Sequence, residues 1–291
     1  MTDEKLQKVI AAAGLCSRRE AERAIEAGEV TVNGRTAHLG ERVKVGDKVV
    51  WRGETLVVPK SARAEVRVLL YNKPEGEICS RNDPEGRPTV FDALPHLRNG
   101  RWVSVGRLDF NTSGLLLFTN DGELANKLMH PSSEIDREYQ VRVQGEVDDE
   151  VLERLCAGVL LDDGVARFTS VKRGGSGGGS NSWFSCVIME GRNREVRRLW
   201  ESQELRVSRL KRVRYGPILI PSFVKPGQWL ELGERDVAEL FRRAGLEPPP
   251  KRRFRPEEAG AQERHIKKLR AASGRQVRKN PTPSRKTKPQ R

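Results

Sequence analysis

The sequence predicts an α+β protein: a small N-terminal domain of two helices and a sheet, a larger mixed and mainly antiparallel α/β domain, and a disordered basic tail. Three observations carry that prediction. Apolar residues recur twice at helical spacing within the first 27 residues and then give way to short alternating runs. Beyond residue 66, strand-like and helix-like runs follow one another without the regular βαβ repetition of a parallel sheet. From Pro248 onward apolar periodicity disappears and positive charge accumulates. A chain of 291 residues has room for about two domains, and the boundaries fall at 1–60, a joint at 61–66, 67–247 and a tail at 248–291.

Leu6, Val9, Ile10 and Ala13 share one helix face, and Gly14 stops that helix. Ser17 followed by Glu20 is a capping box for a second helix, SRREAERAIEAG, which turns Ala21, Ala24 and Ile25 inward and leaves Arg18, Arg19 and Arg23 as a basic rim. VTVNGRTA carries the hairpin signal Asn33–Gly34, and VGDKVVW reads as a strand. Pro59 to Glu65 is poor in apolar residues and reads as a joint. VRVLLYNKPEG then opens the second domain with a strand that ends in a Lys-Pro turn. Further strands are expected at 102–108, 115–120, 139–143, 168–172 and 183–189, with helices at 123–129, 149–157, 193–203 and 235–244. GGSGGGSNS at 174–182 reads as a mobile hairpin loop.

The formal net charge is +14, and its placement excludes a uniformly basic body. Residues 248–291 hold 15 Lys/Arg against 3 Asp/Glu, residues 1–60 hold 11 against 9, and residues 61–247 hold 28 against 28. A polyanion site in the body is therefore a local patch. Cys16, Cys79, Cys156 and Cys186 form no CxxC pair, which argues against a zinc knuckle and for a reducing compartment. No leader pattern and no 18-residue apolar run occur, so the expected protein is cytoplasmic, without a membrane partner, and monomeric. His96 and His130 lack partners at metal spacing, and neither a phosphate loop nor a dinucleotide fingerprint is present. No metal or other cofactor is expected.

Three segments carry candidate chemistry. GRLDFNTSG sets Asp109 just after a strand, two residues beyond Arg107, either as a carboxylate open to a ligand or as an Asx turn bonded to its own backbone. REYQVRV places Tyr139, Val141 and Val143 on one strand face, which suits a core tyrosine as well as a surface on which a displaced base stacks. GRNREVRRLWESQELRVSRLKRVR, residues 191–214, carries nine Arg/Lys against three acids and is the local patch, either a solvated basic helix face or a phosphate-binding surface. Within it Val196 and Leu199 face the core, which leaves Arg197 as the arginine directed inward.

In combination, GRLDFNTSGLLLFTNDGELANKLMHP, REYQVRV and EGRNREVRRLW resemble three ordered motifs of the RsuA/RluB branch of bacterial ribosomal-RNA pseudouridine synthases. CSRREAERAIEAGEVTVNGR resembles the RNA-binding domain shared with ribosomal protein S-four, and the match spans roughly residues 3–240. The NKPEGEICSRNDPEGRPTVFD block and the basic tail look closest to the RluB type, which acts on large-subunit rRNA; the small-subunit RsuA type is the near alternative. The resemblance implies a cofactor-free isomerase in which Asp109 is the nucleophile, Tyr139 the stacking surface, Arg197 the basic partner and Arg107 an aid to arranging a flipped nucleotide. The basic residues expected to contact rRNA are Lys5, Lys8, Arg18, Arg19 and Arg23 of the N-terminal domain and Arg192, Arg194 and Arg198 of the local patch. A non-catalytic ribosome-assembly factor and a base-excising hydrolase are the rival readings.

Overall fold

The computed structural model describes residues 3–59, 66–81, 83–97, 100–176, 181–250 and 256–277. In the N-terminal part, β1 (Glu4–Lys5) leads into α1 (Leu6–Ala12) and α2 (Arg18–Glu26), followed by β2 (Val30–Val32), β3 (Arg35–Thr36), β4 (Arg42–Val43), β5 (Lys48–Trp51) and β6 (Glu54–Val57). The expected capping box starts α2: the Ser17 hydroxyl accepts from Glu20 N at 3.1 Å, and Glu20 accepts from Ser17 N at 3.4 Å. Asn33 and Gly34 both take positive φ in the β2–β3 hairpin. Leu6, Ile10, Ala21, Ile25, Val30 and Val49 close one core between the two helices and a sheet of order β3-β2-β5-β6.

The larger part contains β7 (Val68–Lys73), β8 (Val103–Val105), β9 (Ser113–Thr119), α3 (Gly122–Met129), β10 (Arg137–Gln144), α4 (Asp149–Ala157), β11 (Val159–Leu161) and β12 (Gly164–Ala166). It continues with β13 (Ser170–Ser176), β14 (Asn181–Ile188), α5 (Glu195–Glu201), β15 (Arg206–Tyr215), β16 (Ile218–Leu219), β17 (Trp229–Glu231), α6 (Glu234–Arg243) and α7 (Pro256–Val277). A sheet of order β13-β14-β10-β15-β9-β7-β17, with β8 and β16 beside it, organises the domain; β15 and β9 are parallel and the other paired strands antiparallel. One core lies on each face. Leu69, Tyr71, Leu116, Tyr139, Phe184 and Trp200 belong to the first, and Leu70, Leu117, Leu128, Tyr215 and Phe241 to the second. The mixed, mainly antiparallel α+β architecture is the one expected.

Two differences have physical causes. Residues 206–215, read as part of a basic patch, form the longest strand of the sheet, central between β10 and β9. Register shifts at Arg142/Val143 and Glu138/Tyr139 put its buried Val207 and Leu210, and its buried Arg212 and Tyr215, three residues apart, so no sustained period of two shows in the sequence. The tail is corrected over Pro256–Val277, which is helical: Leu269 is buried in the second core, the His265 ring stacks on Trp229 at 4.1 Å, and Arg270 lies over the Phe223 ring. A few docked side chains suffice to order a helix that has little apolar periodicity of its own. The joint falls mostly at 60–65 and the centre of the glycine-rich loop at 177–180, both outside the described residues, as are 251–255 and 278–291.

Candidate active site

The carboxylate candidate sits in a turn whose backbone is held at every carbonyl. Asp109 O accepts from Thr112 N at 3.1 Å and from Lys73 Nζ at 3.1 Å. Phe110 O accepts from Gly76 N at 2.9 Å, Asn111 O from Arg197 Nη2 at 2.9 Å, and Thr112 O from Lys73 Nζ at 3.0 Å. Asp109 itself is half-buried, and its carboxylate meets the Thr112 hydroxyl at 3.5 Å, with no bond to the amide two residues on among the described residues. The self-bonded Asx turn is thereby excluded. The side chain is left open while its backbone is fixed, the arrangement a reacting group needs.

Sheet register brings the rest of the site to this turn. Lys73 pairs with Gly114, Gly114 with Arg212, Arg212 with Tyr139 and Tyr139 with Cys186, one row across β7, β9, β15, β10 and β14. Tyr139 is 8 % exposed and packs in the same cluster as Leu108 and Val196, the neighbours of Asp109 and Arg197. Arg197, on α5, is 5 % exposed. It spends its guanidinium on Val207 O at 3.1 Å and Asn111 O at 2.9 Å, and its Nε has no hydrogen-bond partner among the described residues. Burial lowers the Arg197 pKa, the nearby Arg194 lowers it further, and the charge of Asp109 acts in the opposite sense. Asp109, Tyr139 and Arg197 thus share one neighbourhood, although no direct ion pair joins Asp109 to Arg197. Arg107 is exposed and forms no ion pair with Asp109 either.

The cation that sequence reasoning missed is Lys73. It is 0 % exposed, and its ammonium donates to Pro74 O, Asp109 O and Thr112 O at 2.9 to 3.1 Å. Burial pushes its pKa down, while Cys79, Glu77 and Asp109 oppose that shift. The available signal was a lysine continuing the wholly buried strand VLLYNK directly before a proline. We expect Lys73→Met to lower the unfolding free energy by about 3 kcal/mol, since it removes charged donors from buried carbonyls. Thermal unfolding checks this, and an unchanged melting temperature would show that the ammonium does not brace the turn.

The predicted RNA contacts divide. Lys8 pairs with Glu4 at 2.9 Å, whereas Lys5, Arg18, Arg19 and Arg23 are exposed, Arg18 with its guanidinium near Gly122 at the start of α3. Gly100 N donates to Ala13 O at 3.3 Å beside that contact, so this side of the N-terminal domain meets the larger domain. Arg198 forks onto Asp163 at 2.9 and 2.8 Å, and Arg192 pairs with Glu190 at 2.6 Å, both half-buried. Their charge is largely answered within the protein. Arg194, exposed and 3.8 Å from Glu201, is the freer of the three. No group of three or more His, Cys, Asp or Glu among the described residues is placed to hold a metal.

Comparison with known proteins extends this geometry. The RNA pseudouridylate synthase family matches residues 67–202, and the S4 domain family matches residues 4–49. A protein of Escherichia coli (strain K12) named ribosomal large subunit pseudouridine synthase B is 58 % identical over 250 residues, covering 85 % of this chain and 84 % of the relative. A Pseudomonas aeruginosa protein of the same name is 57 % identical over 245 residues, covering 84 % of this chain and 64 % of that longer relative. A solved structure described as a crystal structure of pseudouridylate synthase superposes with a TM-score of 0.57 at 25 % identity, covering 81 % of this chain and 99 % of the other. With its S4 domain and its braced aspartate turn, the chain belongs to the RNA pseudouridylate synthase family.

Proposed function

We propose that this protein isomerises a uridine of large-subunit ribosomal RNA to pseudouridine, with Asp109 as nucleophile. The observation that carries the reading is the open Asp109 carboxylate on a turn braced by two buried cations, Lys73 and Arg197. The large-subunit assignment is supported by relatives that carry that name at 57–58 % identity.

The reaction breaks the bond between the sugar and the uracil ring nitrogen, turns the detached base and joins the sugar to a ring carbon; the ring nitrogen gains a proton and the ring carbon loses one. It needs an anion at the reacting nucleoside, exclusion of water and a surface that retains the base. Asp109 supplies the anion, and Lys73 and Arg197 hold the carbonyls of its turn, at Asp109, Asn111 and Thr112. Tyr139 supplies the surface beneath the base. The uridine must first leave its stack, at a cost of a few kcal/mol offset by backbone contacts from the N-terminal domain, Arg107 and the basic tail. The unpaired cysteines fit a cytoplasmic site of action.

Mapping pseudouridines in rRNA from cells with and without this gene tests the proposal. A single large-subunit position should lose its modification, a small-subunit loss would reassign the substrate, and an unchanged map would refute the reading. In vitro, release of free uracil would identify a base-excising hydrolase instead.

The tail gives a separate expectation. Truncation after Val277 keeps α7 docked but removes Arg278, Lys279, Arg285, Lys286, Lys288 and Arg291. If these residues meet phosphates, the slope of log affinity against log salt falls by up to roughly 0.7–0.9 for each phosphate no longer neutralised. An unchanged slope would place the segment away from the RNA.

A further inference from the structure

Phe110 follows the proposed nucleophile directly and is 50 % exposed. Among the described residues it is the sole exposed Phe, Tyr or Trp ring; the other exposed large apolar side chains are aliphatic or methionine. An apolar side chain at the surface needs no explanation when it stands anywhere. This one stands on the most constrained turn of the site. The carbonyls of Asp109, Phe110, Asn111 and Thr112 are held by Lys73, Gly76, Arg197 and Thr112 N, so the backbone cannot retract to cover the ring. The backbone that carries the ring is therefore held beside Asp109 while the ring itself remains exposed to water.

We infer that Phe110 is a base-stacking residue: its ring packs on the nucleotide next to the everted uridine and fills the gap that eversion leaves in the RNA stack. The inference rests on the isomerase reading above and adds a recognition element to it. The occupant is an RNA base because the anion that reacts with the everted nucleoside is on the adjacent residue, which places the flanking nucleotides within reach of the ring. A planar hydrocarbon ring fits any base face without demanding a particular hydrogen-bond pattern. Phe110 would thus oppose return of the uridine into its stack while leaving sequence choice to other contacts. It is a positioning residue, distinct from Tyr139, which is buried on the sheet row opposite Arg212.

The test uses the full-length protein and a stem-loop from large-subunit rRNA containing the modified uridine, with 2-aminopurine replacing the base on each side of it in turn. Wild-type protein should quench one of the two probes on binding, and Phe110→Ala should leave it bright, while Phe110→Trp restores quenching. Turnover of Phe110→Ala should fall about tenfold in kcat/KM on the paired stem, a typical loss for one base–aromatic stack. The deficit should shrink when the uridine is presented in an unpaired loop. Equal quenching by wild type and Phe110→Ala, or an equal turnover deficit on paired and unpaired RNA, overturns the inference. Wild-type protein that fails to convert the uridine refutes the isomerase reading instead, so the two failures are distinguishable. A melting temperature for Phe110→Ala matching wild type, expected for a half-exposed ring, keeps the fluorescence result free of a folding effect; should Phe110→Ala misfold, Phe110→Leu carries the same comparison.

Discussion

Replacing Asp109 by Asn should reduce pseudouridine formation by a factor of about 10⁴ or more, in line with the loss of a nucleophile in other enzymes, while RNA binding stays within a few-fold. The two readouts separate because of how the side chain is held. Its carboxylate forms no ion pair with the described residues, and its one hydrogen-bond partner among them is the Thr112 hydroxyl at 3.5 Å, which an amide oxygen also serves. The turn is braced through main-chain carbonyls, which the substitution leaves in place. The variant should consequently melt close to wild type. What disappears is the carboxylate nucleophile, which a neutral isostere cannot replace. Single-turnover assays with rRNA fragments measure the chemical step, and titration of the same RNA measures affinity. Retained turnover would remove Asp109 from the mechanism, and a parallel loss of affinity would make it a binding residue.

Local chemistry was the most legible part of the sequence. The Ser17–Glu20 box and the Asn33–Gly34 hairpin each act over two or three residues, so their structure follows from nearby sequence alone. The neighbourhood of Asp109, Tyr139 and Arg197 was different. Those residues come from a turn, β10 and α5, and only the resemblance of three ordered motifs joined them before the sheet register did.

Long-range partners were hidden. Arg192 and Arg198 looked like free phosphate ligands because a charge count over 191–214 does not include Asp163 and Glu190, which reach them from the preceding hairpin and strand end. Lys73 looked like a turn residue because its three acceptors lie on Pro74 and, 36 and 39 residues away, on Asp109 and Thr112. α7 looked unfolded because the contacts that order it, Trp229, Phe223 and the second core, belong to another part of the chain. In each case the missing information was the identity of a distant partner.

The largest expected loss of stability comes from the smallest side chain in the site row. A Cβ added to Gly114 would stand 2.1 Å from Arg212 O and 2.7 Å from Arg212 N, and φ there is +108°. Those atoms are backbone of the adjacent strand β15, so no side-chain rotation relieves the clash; β9 and β15 would have to part where they form the parallel pair of the sheet. Gly114→Ala should cost at least about 4 kcal/mol, in the range reserved for severe backbone or packing conflicts, and lower the melting temperature by roughly 8–16 °C for a domain of this size. Gly227→Ala is the control. Its φ is +78° but nothing lies within 4 Å of the added Cβ, so it should cost only about 1–2 kcal/mol for the left-handed backbone. If both variants melt alike, backbone conformation alone accounts for Gly114. A much larger loss at Gly114 means that close approach of β9 and β15 is what the glycine permits, and with it the row that sets Lys73, Arg212 and Tyr139 beside the aspartate turn.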